Sequence, residues 1–162
     1  MRSALLLTLY LVSHNLLSQC VSFNPYFMGL PAFQADLVDE EEKTLPIVFH
    51  VMHLGEPVGE GSNITAQRIE ETLAEVNAQF RKEPGGSGDG MGVDTKIDFC
   101  LAQRSPDGSP SNGITRHDLS GIPEFVAEGI AISSTSGGAP DFEVKSIACW
   151  DVAEYVNVYV VP

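Results

Sequence analysis

Eight residues, Pro46 to His53, are largely apolar on both of their alternating sides: Ile47, Phe49 and Val51 on one, Val48 and Met52 with His50 on the other. An extended segment of this kind suits an interior strand of a sheet covered on two faces. Gly55 to Gly61 follows as a turn. A helix then opens at Asn63 or Thr65, either of which can accept a hydrogen bond from a free backbone N–H. Ile69, Leu73, Val76 and Phe80 form one apolar stripe on a helix over 65–82. Glu70 and Glu71 sit early and Arg81 and Lys82 late, as the helix dipole favours, and Pro84-Gly85-Gly86 stops it. Lys96 to Ala102 returns to strand, with Ile97, Phe99 and Leu101 on one face. Strand, helix and strand in this order make a βαβ unit with parallel strands.

Further on, Pro106-Asp107-Gly108 and Asn112-Gly113 bracket a turn before a short extended piece, Ile114 to Arg116. Residues 117–149 show no clear period, and Ser133 to Gly138 reads as a loop. Tyr155 to Val161, β-branched and aromatic, is a third strong strand. A chain of 162 residues, 43% hydrophobic and without internal repeats, fits one globular domain. The class is α/β (α+β), a twisted, mostly parallel sheet with a backing helix.

Charge narrows the partners. Twenty-two acidic residues against 9 basic ones leave a net charge of −13, which argues against nucleic acid and anionic membrane surfaces as partners. The apolar run Ala4 to Val12 after Arg2 has the length of a signal-peptide core and is too short to span a bilayer. The sequence therefore predicts a secreted protein with no transmembrane segment: a signal peptide over 1–20, then a linker or short pro-segment over 21–44, broken by Pro25, Gly29 and Pro31 and ending in the acidic run Asp39 to Glu42. Leu17-Ser18-Gln19-Cys20 is a poor lipoprotein box, with Gln19 where a small residue belongs. Whether Cys20 is removed, lipidated or retained stays open. If it leaves, Cys100 and Cys149 are an even pair in an oxidising compartment. A disulfide between them and two buried thiols are both open readings.

Few residues offer chemistry. His50 and His53 spell H-x-x-H, but side chains three apart on a strand point to opposite faces, so one metal does not take both without a bulge. His14 falls in the signal segment, and His117 beside Asp118 has no second ligand near it in sequence. Zinc needs three or four converging ligands, a spacing this chain does not show. Gly85 to Gly92 lacks the Lys-Ser/Thr of a phosphate loop. Asp89 and Asp94 invite a calcium reading with too few clustered carboxylates. Cys100 lies inside a strand, a poor place for a nucleophile. Asn63-Ile64-Thr65 is a glycosylation sequon or, on the blander reading, a helix cap.

Several blocks in order resemble the start of a cytophagalysin/pappalysin-type catalytic domain, a group of metzincin zinc endopeptidases. They are Ile47-Val48-Phe49-His50-Val51 running into Gly55-Glu56-Pro57-Val58-Gly59, and Phe99-Cys100-Leu101-Ala102-Gln103-Arg104. Asp107-Gly108 through Asn112-Gly113-Ile114-Thr115-Arg116, and Trp150-Asp151 with Tyr155-Val156-Asn157-Val158-Tyr159-Val160, complete the set over residues 45–162. The resemblance implies a metzincin-like upper subdomain, cut before the active-site helix. It also implies, for a complete enzyme, zinc, protein or peptide substrates, and hydrolysis by metal-activated water. The family's H-E-x-x-H-x-x-G-x-x-H is absent from this sequence, so no catalytic and no metal residue is carried over. The chain is expected to be inactive alone. The alternative is a secreted non-catalytic binding or inhibitory module derived from the same fold.

Overall fold

The computed structural model describes residues 41–131 and 137–162; the signal peptide and most of the 21–44 segment lie outside them. The doubly apolar segment is the central strand β1 (Lys43–His53), longer at its start than the sequence pattern suggests. Residues 47–52 are buried. Its partners β2 (Ile97–Leu101), β3 (Ile114–Asp118) and β6 (Val156–Val160) all run parallel to it. Two short strands, β4 (Ile130–Ala131) and β5 (Ala139–Pro140), form a separate parallel pair.

β2 and β3 share one edge of β1 in succession. The Ala102 N–H donates to the Ile47 carbonyl (2.9 Å) and the Phe49 N–H to the Gly113 carbonyl (2.8 Å). Residues 47 and 49 present their backbone groups to the same side of a pleated strand. β2 therefore covers the first half of that edge and β3 the second, with residues 102–113 looping out between them. β6 takes the opposite edge, pairing Ile47 with Val156 through Val51 with Val160. The loop closes on itself through an Arg104–Pro110 bridge. Where it returns, Gly113 has φ +71° and a Cβ there would meet the Ala102 nitrogen at 2.7 Å. Only glycine fits both demands.

The two faces of the sheet build two cores. Ile47, Phe49 and Val51 pack against Ile69 and Leu73 of α1 (Ala66–Phe80), with Phe99, Leu101, Ile114, Val156, Val158 and Val160 around them. Thr65 is the N-cap, its hydroxyl accepting from the Arg68 N–H at 3.1 Å. The helix stops at Phe80, short of position 82, because Arg81 becomes the cap and Lys82 turns to φ 51°. Arg81 then binds Asp98 and Glu42 (2.5 Å each) and Asp94 (3.1 Å), clamping the helix end to the starts of β1 and β2. Asn77 donates to the Phe99 carbonyl and accepts from the Phe99 N–H, both at 2.8 Å, which also blunts the outer edge of β2.

On the other face, Met52 meets Leu119, Phe125, Ala139, Val144 and Ala148. These come from α2 (Pro123–Glu128), α3 (Asp141–Ser146) and their flanks, the region without sequence periodicity. Each helix is six residues long and buries one large apolar side chain, Phe125 or Val144. So short a helix repeats its apolar face too few times to register as a period. The architecture is an α/β sheet covered on two sides, as expected.

Candidate functional site

Strand register collects the polar residues of the sheet on the face covered by α2 and α3. His50 stands opposite Thr115 on β3 and Tyr159 on β6; Asn157 pairs with Val48 and His117 with Met52. His50 is 0% exposed and fully hydrogen-bonded: Nδ1 lies 2.7 Å from Thr115 Oγ1 and Nε2 lies 2.8 Å from Asn157 Oδ1. Thr115 Oγ1 is also 2.9 Å from His117 Nε2. Asn157 clips the backbone of Trp150, its Oδ1 accepting from the Trp150 N–H (2.8 Å) and its Nδ2 donating to the Trp150 carbonyl (3.0 Å). The rings of Tyr159 and Trp150 lie 5.0 and 6.2 Å from that of His50.

Proton positions in this cluster follow from its backbone partners. A backbone N–H only donates and a carbonyl only accepts, so the orientation of the Asn157 amide is fixed. Its oxygen faces His50, which makes Nε2 the protonated nitrogen. Burial is the main force lowering the His50 pKa below 6.5; the Asn157 bond opposes it and His117 adds to it. The neutral ring leaves Nδ1 as an acceptor for the Thr115 hydroxyl. That hydroxyl in turn accepts from Nε2–H of His117, whose pKa is lowered by burial and by His53.

His53 lies on the opposite face of β1, opposite Asp118, with Nδ1 accepting the Gly55 N–H at 3.1 Å. The H-x-x-H pair therefore diverges, each member satisfied by its own neighbours. Glu56 organises the turn after β1: its carboxylate accepts from the backbone N–H groups of Leu54, Ser62 and Asn63 and from the Ser62 hydroxyl. The Ser62 hydroxyl is the largest of the influences that bring its pKa down to about 2. Asn63, 4% exposed, donates to the Glu56 carbonyl (2.7 Å) and accepts from Arg116. Its amide is a structural tie between turn and β3, which leaves neither a glycosylation acceptor nor the cap of α1.

The calcium reading fails on geometry. Asp94 is engaged by Arg81 and Lys96, while Asp89 accepts the Gly85 N–H at 2.8 Å, within its own loop. Cys100 is a free, exposed thiol, so the pair with Cys149 is not formed. Phe99 and Leu101 take the side of β2 that faces α1, which turns Cys100 to the other face, opposite Pro46. Beside it a shallow recess is lined by Pro46, Ala102, Arg104, Glu154 and Tyr155. Among the described residues no three His, Cys, Asp or Glu side chains are grouped to hold a metal ion. Zinc does not fit the three described histidines: His50 has both nitrogens in hydrogen bonds, His53 faces away from it, and His117 turns Nε2 to Thr115.

No protein-family model and no curated protein matches this chain. Solved structures do. Mirolysin in complex with compound 9 matches with TM-score 0.51 and 23% identity over 74% of this chain and 42% of that one. A promirolysin mutant from Tannerella forsythia gives 0.51 and 24% over 75% and 38%. Mature mirolysin from the same organism, in complex with a cleaved peptide, gives 0.51 and 22% over 72% and 41%. The likeness is one of fold. It supports the metzincin-like α/β arrangement and does not single out the pappalysin-type branch. The chain spans about two fifths of the length of these structures.

Sequence reasoning singled out His50 and missed what holds it. Thr115 and Asn157 stand 65 and 107 residues away in the chain. The signal available was parity: Thr115 and His117 alternate on one strand, and Asn157 is the lone polar residue within an apolar one.

Proposed function

We propose that this chain is the N-terminal part of the catalytic domain of a secreted zinc metalloendopeptidase, of the pappalysin-type branch. One observation carries the reading. The sequence blocks that resemble that family fall on β1, β2, β3 and β6, the strands of one sheet, and that sheet belongs to a chain similar in fold to mirolysin. In this reading the domain boundaries are 1–20 for the signal peptide, 21–44 for a linker or pro-segment and 45–162 for the peptidase portion. Zinc and the water-activating glutamate belong to an H-E-x-x-H-x-x-G-x-x-H segment outside this sequence, and the substrates of the whole enzyme are proteins or peptides. The residues described here form the scaffold on which that segment would pack, and the chain alone cleaves no peptide bond.

The test is genomic sequence downstream of the Pro162 codon, followed by zinc analysis and peptide cleavage by the protein it encodes. An in-frame zinc motif with chelator-sensitive cleavage is the expected result. A stop codon immediately after Pro162 would overturn it and leave the non-catalytic binding or inhibitory module.

A further inference from the structure

We infer that His117, Thr115 and His50 form a proton relay that lets a histidine sealed inside the sheet titrate without the fold opening. The geometry points to this because the chain of hydrogen bonds is complete in either direction. In the neutral state His117 Nε2–H donates to Thr115 Oγ1, and the Thr115 hydroxyl donates to His50 Nδ1. His117 is half-buried, and no hydrogen bond to its Nδ1 is recorded among the described residues. A proton taken up at that nitrogen makes His117 an imidazolium. Its Nε2 proton passes to Thr115 Oγ1 while the original hydroxyl proton passes to His50 Nδ1.

The balance closes with one proton added and nothing else exchanged. His50 is then the cation, with Nδ1–H donating to Thr115 Oγ1 and Nε2–H still donating to Asn157 Oδ1. Thr115 donates back to His117, which is neutral again and now protonated at Nδ1. The two hydrogen bonds through Thr115 survive with their directions reversed, the one to Asn157 is unchanged, and no heavy atom has to move.

The groups facing His50 determine what the proton meets. β3 contributes His117, and β6 contributes Asn157 and Tyr159. The segment after α3 contributes Trp150. α3 contributes the Lys145–Asp141 ion pair (2.7 Å) behind Tyr159, whose hydroxyl donates to the Lys145 carbonyl. His53 acts on His117 from β1. None of the groups hydrogen-bonded to His50 is a carboxylate, so His50 protonates below the ordinary histidine value of 6.5, in line with its lowered pKa.

Trp150, the single tryptophan of the chain, sits edge-on to His50 and reports the event, because an imidazolium quenches indole emission. The experiment is a stopped-flow jump from about pH 8 to about pH 5, spanning the ordinary histidine pKa, with Trp150 fluorescence as readout. Wild type should quench within the mixing time. Thr115→Val, which fills the same space without a hydroxyl, should slow the quench by at least about tenfold, to the rate of local opening. Thr115→Ser should restore it. If Thr115→Val does not fold, His117→Phe takes its place, keeping a ring while removing proton entry. A variant without the relay that responds as fast as wild type would overturn the inference. So would a wild-type quench no faster than amide hydrogen exchange of β1.

Discussion

Replacing Asn157 with alanine removes the acceptor of His50 Nε2–H, the acceptor of the Trp150 N–H and the donor to the Trp150 carbonyl in one step. His50 has no exposed surface, so its orphaned N–H bears a full desolvation penalty of about 1–3 kcal/mol. Trp150 is only half-buried as a residue, so its two lost bonds are taken at about 0.5–1 kcal/mol each. The expected loss is about 3 kcal/mol, a large share of the roughly 5–15 kcal/mol that holds a domain folded. Urea unfolding followed by Trp150 emission measures it. With a slope of about 1–3 kcal/mol/M, the midpoint should fall by one molar or more at unchanged slope. Asn157→Asp keeps both acceptors and should lose less at neutral pH. A loss below about 1 kcal/mol for the alanine variant would refute the reasoning, since it would mean that water replaces the amide and the cluster does not pin β6 to β1.

Three other perturbations probe the rest of the scaffold. Gly113→Ala forces a Cβ to 2.7 Å from the Ala102 nitrogen at φ +71° and should cost roughly 2 kcal/mol or more, seen as a lowered urea midpoint. Arg81→Met frees Glu42, Asp94 and Asp98 on a partly exposed surface; the urea midpoint should fall slightly at low salt, and the loss should shrink as salt is added. Glu56 titrates at about 2 in the folded chain against 4.5 unfolded, so its contribution is complete above 4.5 and is lost as pH falls toward 2. Thermal melts across that window should therefore fall more steeply for wild type than for Glu56→Gln.

Much of the sheet was legible because its signals are local. The double-sided apolar pattern of β1, the α1 stripe and the β-branched run of β6 each lie within one stretch of chain, and all three formed. The divergence of His50 and His53 followed from strand parity alone. Contacts made across strands were not legible. Cys100 and Cys149 look like a pair by count, yet the thiol of Cys100 is free and exposed. Asn77 clips the peptide unit of Phe99, 22 residues away, and Asn157 that of Trp150, seven residues away, which neither composition nor spacing reveals. The helices over 123–128 and 141–146 went unseen because each is shorter than two full turns.

The placement of β6 has a consequence for how the chain comes into being. β1 is made early, but the strand that covers its second edge is synthesised more than a hundred residues later, as the 107-residue separation of His50 and Asn157 shows. At roughly 5–20 residues per second on the ribosome, β1 waits several seconds or longer for that partner. During that interval its edge and the buried His50 remain open to water, to other chains and to chaperones. A stall in translation anywhere between α1 and β6 would therefore leave an adhesive half-sheet.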